Sequence, residues 1–224
     1  MALIWLWAFR LTHSYFRREE WKFGQREDWR YTKMAKENPR SWWLLSFFAV
    51  GLAQQPMLCG ITLPLYSTNF SSTPFSFCDL AATALCLSGL TIAGFADNQL
   101  RNFMLENERR GQQGEQKIKI LETGLWKFSR HPNYFGEQLW WWGLALFSVN
   151  LGDYWAVLGT AFNSIILAAV TVMTEKRILD NWTAERRSLY VEYRERTSVW
   201  IPLPRFGAKN VLLKKEAYQA LPAE

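Results

Sequence analysis

Charge along this chain is segregated in a way that no soluble helical fold requires. Of its 26 Lys and Arg, eight lie between Arg17 and Arg40, seven between Arg101 and Arg130, and ten after Thr174; the last is Arg10. Between these clusters run blocks without a charged residue: Trp42–Tyr66, Leu80–Ala96, Gln138–Asn150 and Tyr154–Thr174. The connectors Ser67–Ser76 and Leu151–Asp153 contain no Lys or Arg. A bilayer span needs about 20 mostly apolar residues. The first and last blocks reach that length, and the second does so when counted from Phe75 with only Asp79 inside it. The third reaches it only if its helix begins at Pro132, and proline is favoured at the first helical position. The pattern predicts an all-α fold: a polytopic transmembrane helical bundle of about four full spans plus a partial amino-terminal helix. Positive loops stay in the cytoplasm, so the basic loops and the C-terminus are assigned there.

The mean hydropathy of −0.15 would suit a soluble protein, although 49% of the residues are hydrophobic and 13 are Trp. The mean misleads because the apolar residues come in blocks. The net charge of +6 then describes a basic cytoplasmic face, suited to anionic lipid or a phosphorylated ligand. The length suits one domain over 1–206, with a loosely ordered tail over 207–224. Met1–Phe9 is apolar but too short to cross a bilayer, and no small-residue cleavage site follows Arg10. It reads either as an interfacial helix or as the end of a span whose beginning is missing. Cys59, Cys78 and Cys86 are odd in number and lack metal-ligand spacing, so they read as packing cysteines, with no metal site. Asn69-Phe70-Ser71 is a glycosylation sequon on the predicted lumenal side.

Polar residues gather at the predicted cytoplasmic ends of the spans. One group is Arg10 with Glu27, Asp28, Trp29, Arg30 and Tyr31. A second is Asp97, Asn98, Gln99 and Arg101, where Asp97 and Arg101 are spaced to pair on one helical face. A third is Arg130, His131, Asn133, Tyr134 and Glu137, with Asn133 and Glu137 one turn apart at the start of a span. The fourth is Glu175 with Lys176 and Arg177, followed by Tyr190, Tyr193 and Trp200-Ile201-Pro202. Each alone reads equally well as headgroup anchoring or an aromatic belt. Their common side favours a shared pocket, because polar groups at a span mouth are costly unless they meet each other or a ligand. Arginine forks match phosphates, carboxylates and amides match ribose or a carboxamide, and aromatic faces stack on flat rings. No Gly-x-Gly-x-x-Gly, phosphate-loop, nucleophile-elbow or His-Glu-x-x-His motif is present.

The run Gly124-Leu125-Trp126-Lys127-Phe128-Ser129-Arg130-His131-Pro132-Asn133-Tyr134-Phe135-Gly136-Glu137 closely resembles the signature of the steroid 5-alpha-reductase superfamily, which includes a large branch of unknown function. Trp7-Ala8-Phe9-Arg10-Leu11, Glu27-Asp28-Trp29-Arg30-Tyr31, Ala96-Asp97 with Gln99 and Phe103, and Glu175 followed by Tyr190 and Tyr193 match in family order. The resemblance implies an endoplasmic-reticulum membrane protein that uses NADPH to reduce a carbon–carbon double bond in a flat lipid, often one conjugated to a ketone. It implies that Asn133 and Glu137 hold the nicotinamide end. Asp97, Arg101, Arg130 and Tyr134 line the cofactor site, and Glu175, Tyr190 and Tyr193 close it. Arg10 and Arg30 go to phosphate. Tyr134 and His131 are the candidate proton donors. The expected partners are the bilayer and a lipid or steroid substrate, with no nucleic acid. Family members usually carry further spans before the Trp-Ala-Phe-Arg-Leu element.

Two other functions fit the same residues. Isoprenylcysteine and phospholipid methyltransferases, which use S-adenosylmethionine, share a related Arg-His-Pro helix start; they favour a small residue after the proline and a Glu-Glu pair later. Here Asn133 and Glu175-Lys176 stand at those places. A catalytically inactive membrane scaffold is the third reading.

Overall fold

The computed structural model describes residues 1–18, 28–52 and 54–205. Glu27 and the expected tail over 207–224 lie outside the described residues. The helices are α1 (Ala2–Arg18), α2 (Trp29–Glu37), α3 (Trp42–Leu45), α4 (Gln54–Asn69), α5 (Phe77–Gln112), α6 (Pro132–Asn150), α7 (Ala156–Asn181) and α8 (Ala184–Arg196). Ser46–Leu52 is wound as a π-helix between α3 and α4, and Gly124–Lys127 forms a 3₁₀ turn. The protein is all-α among the described residues, with one isolated parallel bridge between Ser129 and Ser198.

Among the described residues, three stretches are long and apolar enough to cross a membrane: Trp42–Asn69, Phe77–Gln112 and Ala156–Asn181. They correspond to three of the four predicted spans. α6 begins at Pro132 as the sequence predicts and runs 19 residues. It is not among the three: its polar first turn and three consecutive Trp dilute its hydropathy. α7 carries the clearest lipid-facing signal. Leu158, Phe162, Ile165 and Val172 are 50–68% exposed and fall on one helical face over about 21 Å. A stripe that long and apolar is what acyl chains cover.

The chain forms two compact units, Met1–Leu90 with Leu139–Ile166, and Thr91–Gln138 with the chain from Leu167 onward. The core of the first unit is Cys86, Trp140 and Leu144, surrounded by Leu3, Trp7, Leu65, Leu90, Trp141 and Phe147. Trp7 stacks on Trp140 at 6.0 Å and meets Trp141 edge-on at 5.2 Å, which gives the short α1 its anchor. Cys86 packs as the sequence suggests, its thiol against the Trp140 carbonyl at 3.6 Å. Gly143 lets α5 approach closely, since a Cβ there would meet the Cys86 sulfur at 2.6 Å. The end of α6 is held by polar groups. Asn150 Nδ2 donates to Ser76 Oγ at 2.9 Å and Asp79 Oδ1 at 3.1 Å, and Ser67 pairs with Asp153.

A second close approach in this unit starts with a proline. Pro64 lies inside α4 and has no N–H to offer the Gly60 carbonyl four residues earlier. That carbonyl faces Gly159 of α7, where a Cβ would collide with it and sit 2.9 Å from Ile61 N. Small residues at such crossings let backbones touch, which is a main source of helix association where no hydrophobic effect operates. Gly159→Leu should therefore destabilise the protein by about 1–3 kcal/mol, read as a lower melting temperature in detergent. Gly51→Ala, where the nearest atom is 3.9 Å away, should change it little.

Candidate functional site

In the second unit, the start of α6 is built by backbone pairing with the segment after α8. Arg130 N donates to Ser198 O at 2.8 Å and His131 N to Val199 O at 3.0 Å. Ser129 Oγ donates to Val199 O at 3.1 Å and accepts from His131 N at 3.2 Å. Upstream, Gly124 adopts φ +60°. The Gln99 amide occupies the place a Cβ would take there, 2.5 Å away, and its Oε1 accepts Leu125 N at 2.9 Å. Trp126 Nε1 donates to the Ala96 carbonyl at 3.1 Å. The 124–131 segment is thus tied to α5 at one end and to 198–199 at the other.

Glu175 of α7, 6% exposed, is the centre of the site. Its carboxylate is ion-paired with Arg130, whose Nε is 2.9 Å away, and with Arg194, whose Nε is 3.1 Å away, and it hydrogen-bonds His131 Nε2 at 3.1 Å. A carboxylate only accepts, so the His131 Nε2 carries a hydrogen in this contact. Arg130 also donates to the Arg194 carbonyl at 2.8 Å. One buried negative charge therefore faces two guanidiniums and an imidazole, which is how such a charge survives burial.

α8 adds the tyrosines. Tyr193 donates to the Trp126 carbonyl at 2.5 Å, with Ser129 O at 3.2 Å, and Tyr190 lies 6.1 Å from it, ring to ring. Burial pushes both phenols above the usual tyrosine value, and the Glu175 carboxylate pushes Tyr190 further. Trp200 Nε1 donates to Thr171 Oγ1 at 3.0 Å.

On α6 itself, Asn133 Nδ2 donates to Asp97 Oδ1 of α5 at 3.2 Å. The other side-chain atom, Asn133 Oδ1, is buried and has no hydrogen-bond partner among the described residues. Tyr134 stacks on the His131 ring at 5.1 Å and 15°. Glu137 follows Asn133 by one turn and Arg101 follows Asp97 by one turn, both partly buried.

The structure thus gathers Arg130, His131, Glu175, Tyr190 and Tyr193 around one cluster, and joins Asp97 to Asn133 beside it. Arg10 on α1 and Arg30 on α2 belong to the other unit. Arg30 turns its fork onto Asp28, with Nε at 3.0 Å and Nη2 at 2.6 Å, which weakens the assignment of this residue to phosphate. Arg194 was missed by the sequence reading. It lies one turn beyond Tyr190, so its position on the same helical face was the available signal. A cleft of about 350 Å³ opens on another face of α8, between Leu189, Glu192 and Arg196 and the extended segment Gln116–Glu122. None of the predicted residues lines it.

An all-α membrane protein with this motif at the mouth of one helix belongs to a recognisable class. Residues 1–197 match the family described as "Protein of unknown function (DUF1295)", and the chain belongs to that family. It is 31% identical over 138 residues to mouse 3-oxo-5-alpha-steroid 4-dehydrogenase 1, covering 62% of this chain and 46% of that one. The rat protein of the same name is 30% identical over 138 residues, covering 62% and 45%. An uncharacterized protein of Schizosaccharomyces pombe is 24% identical over 216 residues, covering 88% of this chain and 60% of the relative. The chain therefore spans from under half to three-fifths of the length of these relatives. No solved structure matches it. The family and these relatives agree with the steroid 5-alpha-reductase superfamily resemblance of the sequence.

Removing the central carboxylate should leave Arg130 without a counter-charge in a buried place. Glu175→Gln is expected to cost about 3–5 kcal/mol, measured by thermal unfolding in detergent. Tyr190 and Tyr193 hold their protons more tightly folded than unfolded, so the stability they confer is complete below about pH 10 and lost as pH rises beyond it. In an absorbance titration, two of the eight Tyr should ionise only at higher pH than the rest, and Tyr190→Phe with Tyr193→Phe should abolish that delayed phase.

Proposed function

We propose that this chain is an NADPH-dependent membrane reductase that saturates a carbon–carbon double bond in a steroid-like or other lipid enone. The observation that carries the reading is Asn133. Its amide donates to Asp97 while its carbonyl oxygen, buried, accepts from nothing among the described residues. An orphaned buried acceptor costs about 1–3 kcal/mol. The primary amide of a nicotinamide ring supplies the missing donor, and Glu137 stands one turn along to accept a second hydrogen. Arg101 adds positive charge beside Asp97, and the flat face of Tyr134 suits a ring. These residue types fit a reduced pyridine nucleotide.

When bound, the cofactor supplies hydride to one alkene carbon. Tyr134 is the candidate to supply the proton that the other alkene carbon takes up; its hydroxyl has no hydrogen-bond partner among the described residues. His131 has its Nε2 on Glu175 and its ring on Tyr134, which suits it to orienting Tyr134 rather than to giving up a proton. Glu175 and Arg130 act one step further back, by fixing His131 and the start of α6. The name of the mouse and rat relatives supports a steroid-type substrate; the charge pattern supports a cytoplasm-facing site, and the family resemblance implies the endoplasmic reticulum.

Purified protein should bind NADPH saturably, with affinity reduced about tenfold or more in Asn133→Ala and in Glu137→Ala. Tyr134→Phe should keep NADPH binding and lose NADPH oxidation that depends on an added enone lipid. Unchanged affinity in both the Asn133 and Glu137 variants would overturn the site. Thermal stabilisation by S-adenosylmethionine and not NADPH would transfer the assignment to methyl transfer.

A further inference from the structure

We infer that the exposed face of α2, extended by Arg40, is a contact surface for anionic phospholipid headgroups. The inference is independent of the cofactor reading. α2 is fixed at both ends by its own neighbours. Asp28 caps its start, accepting Arg30 N at 2.9 Å as well as the Arg30 fork. At its end, Asn38 donates from its backbone at 3.0 Å and from Nδ2 at 3.1 Å to the Met34 carbonyl. Ser41 N then donates to Asn38 O at 3.2 Å, closing a turn.

Only Asn38–Ser41 separates α2 from Trp42, where the first membrane-crossing stretch begins. Four residues reach at most about 14 Å when extended, and the turn shortens that. The headgroup zone is about 5–8 Å deep on each side of the hydrocarbon core. Trp42 and Trp43, the latter 72% exposed, are the residue type that settles at this level. The connection therefore keeps α2 at the membrane surface.

On this helix Lys33 and Lys36 are exposed and three residues apart, and exposed Arg40 follows Lys33 by seven. The spacing puts Lys33 and Lys36 on one face of α2, and Arg40 follows in the turn after it. Glu37 offsets part of the charge through Lys33 at 3.7 Å. Lys36 and Arg40 have no hydrogen-bond or ion-pair partner among the described residues. Net positive charge held at headgroup level complements an anionic lipid such as phosphatidylserine; a zwitterionic lipid offers no net charge to match. Each basic residue near such a surface shifts partition by about fivefold.

The test is lipid co-purification. The full chain is equilibrated in mixed micelles with equal phosphatidylcholine and phosphatidylserine, and retained lipid is quantified by mass spectrometry. Phosphatidylserine should be enriched in the wild type. Lys33→Gln, Lys36→Gln and Arg40→Gln together should lower the enrichment by about fivefold or more, and high salt should do the same. The charge-conserving set Lys33→Arg, Lys36→Arg and Arg40→Lys should retain it. Millimolar inorganic phosphate should leave it unchanged, because the surface reads a charged sheet and not a single phosphate; displacement by phosphate would point instead to a small-anion site and overturn the inference. Enrichment that survives loss of the three charges, or that falls equally in the charge-conserving set, would also overturn it.

Discussion

The second unit of this protein is organised around one carboxylate. Glu175 draws Arg130 and His131 from the start of α6 and Arg194 from α8, so three stretches far apart in sequence share a single anchor. Burying a charge is expensive, and the cost is offset only when every lone pair finds a donor. The position of that anchor matters more than its energy. Arg130 and His131 immediately precede Pro132, the first residue of α6. Holding them fixes where the helix begins, and helical periodicity then fixes the directions of Asn133, Tyr134 and Glu137. The backbone bonds from Arg130 and His131 to Ser198 and Val199 repeat the constraint independently.

The first unit solves a different problem. Its helices lie where lipid leaves no hydrophobic drive between them, and they associate through close backbone approach and aromatic stacking. Pro64 frees a carbonyl that Gly159 accommodates, Gly143 admits Cys86, and Trp7 stacks on Trp140. Polar residues sit mainly at helix ends, where Asn150, Ser76 and Asp79 satisfy one another. Specific polar chemistry is concentrated in the second unit, where α6 opens with donors and acceptors before its apolar part begins.

Much of this could be read from the chain itself. The uncharged blocks located the crossing helices, and Pro132 marked the start of α6 because proline both fits the first turn and cannot sit deeper at no cost. Gly124 in the motif became intelligible only with its positive φ and the Gln99 amide filling the space above it. Other features depend on distance in space that spacing along the chain does not encode. Arg194 meets Glu175 across 19 residues of turn and helix, Asp97 accepts from Asn133 across 36 residues, and Arg30 prefers its near neighbour Asp28. The π-helical winding of Ser46–Leu52 has no signature in residue type. α5 also continues to Gln112, well past the apolar block, because Glu106 pairs with both Arg109 and Arg110 at 2.7 Å and so sustains a polar helix.

The central claim is that the clamp on Glu175 presents Asn133 and its neighbours to a reduced pyridine nucleotide. An experimental structure of the protein with NADPH bound tests it most directly. The nicotinamide amide is expected within hydrogen-bonding distance of Asn133 Oδ1, with Arg130 and His131 still on Glu175. A nucleotide bound elsewhere, with Asn133 Oδ1 facing acyl chains, would contradict it.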